Sequence, residues 1–87
     1  MITATLYTQD DTQGKSIEIR CFEDIQKAVG GFVAMAKLKG EEGDVLCDED
    51  GLMKKRGQNA KFPSLVGDVL VAPKAWTRLP FNKGENK

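Results

Sequence analysis

Residues Phe22 to Gly31, FEDIQKAVGG, decide the fold class, because the hydrophobic period changes there. Phe22, Ile25 and Val29 recur at i, i+3 and i+7 with Ala28 beside them, which makes one apolar helical face. Glu23 and Asp24 fall in the first turn, where the helix dipole favours anions. Glu23 and Lys27 form a favourable i,i+4 pair. Gly30-Gly31 then stops the helix, with Gly30 suited to a left-handed cap. A glycine pair also suggests phosphate binding, but such loops precede a helix rather than follow one.

On both sides of this stretch the period is two. Ile2, Ala4 and Leu6 alternate with Thr3, Thr5 and Tyr7, and Ile17, Ile19 and Cys21 alternate with Ser16, Glu18 and Arg20. Two strands joined by the polar turn QDDTQG, residues 9–14, are expected. After the helix, FVAMAKL (32–38) and DVLCD (44–48) read as strands across a KGEEG turn. Asp50-Gly51 is a strong turn signal. Residues 52–59 are open to a short helix or an extended arm. Residues 61–66, broken by Pro63, are expected to cross the core surface. Gly67-Asp68 then starts a core strand, Val69 to Ala72, whose pairing Pro73 ends. The expected fold is α+β, one helix packed on a mostly antiparallel sheet of four to five strands. Residues 1–87 make a single small domain, with a core over about 1–73 and an irregular segment from 74 to 87.

Composition excludes several chemistries. The chain has no histidine, which removes Ser-His and Cys-His catalysis within one chain. Cys21 and Cys47 match no zinc or redox spacing and read as reduced, semi-buried apolar residues. No run approaches the roughly 18 apolar residues that span a bilayer. The start MITATLYTQDD lacks a basic region followed by an apolar one, so the cytoplasm is the expected location, that of the host if the protein is viral. Net charge is zero but unevenly placed. Residues 1–50 hold five Lys/Arg against eleven Asp/Glu, and residues 51–87 hold eight against two. The two halves neutralise one another if the fold is compact.

The order IQKAVGGFVAMA, then DVLCDEDGLMKKRGQNA, then VGDVLVAP resembles a small domain family of unknown function found in bacteriophages, large DNA viruses and mobile elements. The matching positions are Val29, Gly30, Gly31, Phe32, Asp48, Glu49, Asp50, Gly51, Leu52, Asn59, Ala60, Gly67, Asp68, Val69 and Val71, over roughly residues 22–73. The family often carries a Pro-Pro-Asn segment where this chain has Arg56-Gly57-Gln58-Asn59. The resemblance implies a viral or phage accessory protein and no particular reaction.

Candidate sites follow from residue type. Asp48, Glu49 and Asp50 do not fit a calcium loop, since the glycine comes two positions early and Asn59 stands where the closing glutamate belongs. They read as a turn of solvated acids. Lys54, Lys55 and Arg56 are the candidate contacts for a small anionic ligand, with Gln58 and Asn59 beside them to read a base edge or ribose. A solvated basic face explains the same residues, and Asn59 has a turn-fixing reading as well. Trp76 is a candidate anchor for a protein partner, or a cover for one edge of the core. Gly30, Gly31, Asp50, Gly51, Gly67 and Asp68 are assigned to turns and caps. No catalytic residue, metal or cofactor is expected.

The expected function is therefore binding, to a host protein or a nucleotide-like small molecule, with counter-defence as one setting. The alternative is a nucleic-acid-associated regulator using residues 54–61. Homodimerisation is a further expectation, with residues 32–38 or Val69 to Ala72 as the candidate edge strands.

Overall fold

The computed structural model describes residues 2–36, 43–50 and 56–80. The elements are β1 (Ile2–Tyr7), β2 (Lys15–Ile19), α1 (Phe22–Val29), β3 (Val33–Ala36), β4 (Asp44–Asp48), β5 (Val69–Ala72) and a 3-10 helix (Lys74–Arg78). They form an α+β fold, with one helix on a five-stranded, wholly antiparallel sheet in the order β2-β1-β5-β4-β3. Two sequence-local hairpins, β1–β2 and β3–β4, lie on either side of β5.

That position explains the uninterrupted run Val69-Leu70-Val71-Ala72. A half-solvated strand alternates, whereas one covered on both faces is apolar throughout. On one face Leu70 joins Ala4, Ile19, Leu46, Ala72 and the helix residues Ile25 and Val29. On the other, Val69 packs with Val45 and Phe62. The helix covers the first face. The irregular chain around Asn59 to Val66 covers the second, where Phe62 meets the Tyr7 ring edge-on at 5.3 Å.

The helix ends as its sequence requires. Gly30 is left-handed (φ 89°), and its N–H and that of Gly31 both return to the Gln26 carbonyl, at 2.8 and 3.1 Å. At the other end, the Phe22 N–H donates to the Pro80 carbonyl at 2.8 Å. The segment after β5 therefore crosses the helix start.

Four expectations are corrected. Val69–Ala72 is the central strand and not an edge, because both its neighbours are supplied by the hairpins. The strand from residue 15 ends at Ile19, and Cys21 instead precedes the helix, fully buried. The strand expected from Phe32 begins at Val33, and its continuation over 37–42 lies outside the described residues. The segment after Pro73, read as irregular, holds a 3-10 helix that turns Trp76 and Leu79 onto the core. No helix among the described residues is long and apolar enough to cross a membrane.

Candidate functional site

The residues singled out around Asp48 to Asn59 converge in space with the glycines that flank the helix and β5. Arg56 is the centre of this cluster. Its Nη2 lies 3.6 Å from Oδ2 of Asp48, whose side chain is wholly buried. Asp48 also accepts the Asp50 N–H at 2.9 Å, fixing the turn after β4. The Arg56 side chain passes two left-handed glycines. A Cβ on Gly67 (φ 75°) would stand 2.6 Å from Arg56 Cδ, and one on Gly30 would stand 2.5 Å from Nη2. Only residues without side chains leave room for this path. The guanidinium thus sits against the C-terminal end of α1, where a cation is favoured.

Asn59 holds the same segment from within. It is fully buried. Its Nδ2 donates to the carbonyls of Tyr7 (3.0 Å) and Gly67 (2.8 Å). Its Oδ1 accepts the N–H groups of Lys61 (2.9 Å) and Phe62 (3.0 Å). Both amide hydrogens and both oxygen lone pairs are therefore engaged by backbone. Asp68 ties in a further loop, accepting the Gln9 N–H at 2.9 Å. Ala60 N–H reaches the Gln9 carbonyl at 2.8 Å, and Gly67 N–H reaches that of Gly57 at 2.9 Å.

The proposed contact residues are thus placed as follows. Arg56 and Asn59 are drawn into the fold. Gln58 is exposed, with its Nε2 donating to the Pro63 carbonyl at 3.0 Å. Lys54, Lys55 and Gly51 lie outside the described residues. Lys61 stands over the Tyr7 ring at 5.9 Å. Trp76 is half-buried rather than an exposed anchor. It stacks on Phe22 with centroids 6.3 Å apart, and its Nε1 donates to Asp44 Oδ2 at 2.6 Å. Lys74 approaches the same carboxylate at 3.5 Å. Arg56–Asp48 and Lys74–Asp44 each join the basic half of the chain to the acidic half.

Cys47 is half-buried on β4, and its Sγ faces the Ala34 carbonyl at 3.7 Å. Burial, and then the neighbouring Asp48 charge, push its thiol pKa up. A thiol so placed is a poor nucleophile. Among the described residues, no three His, Cys, Asp or Glu side chains are grouped to hold a metal ion.

The surface that sequence reasoning did not single out is apolar. Phe32 is 66% exposed and Met35 is 53% exposed, and they are the large apolar side chains most open to solvent among the described residues. Phe32 borders a shallow hollow with Gln26, Gly31 and Asp50 at the end of α1. An aromatic directly after a helix-stopping glycine pair was the available signal. The same residue opens the strand expected over 32–38.

Compared with known proteins, the chain matches no family model, no curated protein and no solved structure.

Proposed function

We propose that this chain is a non-enzymatic module that binds a protein partner through Phe32 and the hollow at the C-terminal end of α1. The observation that carries this reading is the pairing of a phenylalanine two-thirds exposed with an adjoining hollow. Single exposed apolar residues are ordinary. Among the described residues, however, the two most exposed large ones both lie along the β3 edge of the sheet, three positions apart. Aromatic residues beside a pocket are favoured anchors in protein interfaces. The engagement of Arg56 by Asp48 and of Asn59 by backbone argues against a nucleotide in the neighbouring cluster. The resemblance to phage and viral domains supports the setting, an accessory protein acting on a host protein.

Affinity capture from host lysate tests the proposal. Wild type should retain a protein that Phe32→Asp loses at unchanged melting temperature. Retention by both proteins, or by neither, would count against the surface named here. Binding of nucleic acid that weakens steeply with salt would favour the regulator reading instead.

A further inference from the structure

The sheet has two edges, and they are guarded differently. β2 carries exposed Lys15 and Glu18, with Arg20 3.8 Å from Glu18. Charged edge residues discourage the addition of another strand. β3 at the opposite edge reads VAMA, with neither charge nor proline, in continuous register with β4.

One hydrogen bond fixes which β3 groups face outward. The Glu49 N–H donates to the Phe32 carbonyl at 2.7 Å, so these two residues are a hydrogen-bonded pair. Such pairs alternate along an antiparallel ladder. Ala34–Cys47 and Ala36–Val45 are therefore hydrogen-bonded pairs too, and Val33 and Met35 turn their N–H and C=O groups away from β4. No described residue bonds to these two donors and two acceptors.

We propose that this edge pairs antiparallel with β3 of a second copy of the chain, about a two-fold axis at Ala34. In that register Val33 faces Met35 of the partner subunit, and the same pairing repeats on the other side of the axis. All four outward groups of each strand are then used, in four ladder bonds. Pairing centred on Val33 or Met35 would use fewer within the strand. The turn after β4 beside Phe32 carries Glu49 and Asp50, and the sequence after β3 carries Lys37 and Lys39, so a second copy of the chain offers charges of both signs. Met35, half-exposed in the monomer, gains an apolar neighbour. A four-residue strand makes a small interface, so the dimer is weak and concentration-dependent.

In this register Phe32 lies opposite Ala36 of the partner subunit, so the pairing adjoins the contact proposed above, and its test leaves Phe32 intact. Sedimentation velocity from about 10 µM to about 1 mM should show the average mass rising toward that of a dimer, as weak association requires. Met35→Lys should remain monomeric with an unchanged melting temperature. Non-hydrogen-bonded partners lie about 4.5 Å apart at Cα, within disulfide range. Ala34→Cys, made with Cys47→Ser to remove its neighbour on β4, should therefore cross-link into a covalent dimer on mild oxidation. Ser16→Cys on the opposite edge should not. A monomer at every concentration with no cross-link would overturn the proposal, even if a foreign extended peptide binds this edge. So would a dimer that survives Met35→Lys.

Discussion

Arg56 reaches the buried carboxylate of Asp48 by passing between Gly30 and Gly67. The arginine belongs to the segment over one face of the sheet, the aspartate to β4, and the glycines to the helix end and the approach to β5. Four separated parts of the chain therefore meet on one side chain.

Gly67→Ala and Gly30→Ala should each destabilise by two separable effects. Holding alanine in the left-handed region costs about 1–2 kcal/mol. Displacement of Arg56 adds to it, because the new methyl would overlap its side chain. In an Arg56→Ala background the second part should vanish. Urea denaturation of the double-mutant cycle should then show clear non-additivity. Additive losses would mean that the glycines serve backbone conformation alone.

Asn59→Ala should cost about 2–4 kcal/mol, since it leaves two carbonyls and two N–H groups without their side-chain partner. Amide exchange should report the loss first at Lys61 and Phe62. A variant as stable as wild type would show that water replaces all four bonds.

Trp76→Phe and Trp76→Ala should differ. The phenylalanine keeps a ring against Phe22 and loses one hydrogen bond to Asp44, about 1 kcal/mol. The alanine loses the ring as well, about 2–3 kcal/mol for a half-buried aromatic. Thermal melts by circular dichroism separate the two.

Cys47 should react slowly with iodoacetamide near neutral pH, because its raised pKa keeps it protonated. The same shift carries a stability signature. The folded state holds this proton more tightly than the unfolded state. The associated stability is present below the unfolded thiol pKa, about 8.5, and is lost as pH rises through the higher folded value. Cys47→Ser should remove that alkaline loss, as denaturant titrations at pH 7 and pH 10 would show.

The helix and the strands were legible because each is set by local period. Phe22, Ile25 and Val29 announce the helix wherever it packs. Strand order was not legible, because nothing near Val69 to Ala72 tells which strands will flank it. Its unbroken apolar run marked a core strand, and only long-range pairing makes it central. The basic segment misled for a similar reason. Arg56 reads as a ligand contact until Asp48, Gly30 and Gly67 arrive from elsewhere in the chain. Asn59 and Trp76 are likewise types common both at binding surfaces and in buried networks, and burial alone tells the two apart.

The place of β5 bears on how the chain is made. Of the described strands it comes last in the sequence, yet it lies in the middle of the sheet. During synthesis both hairpins leave the ribosome before the strand that joins them. Until residues 69–72 emerge, β1 and β4 each present a bare ladder edge, with Leu6 and Leu46 waiting for Leu70 between them. Such edges invite pairing with other chains. Chains truncated before Val69 should therefore associate, and restoring the final strand should act as the zipper that ends their exposure.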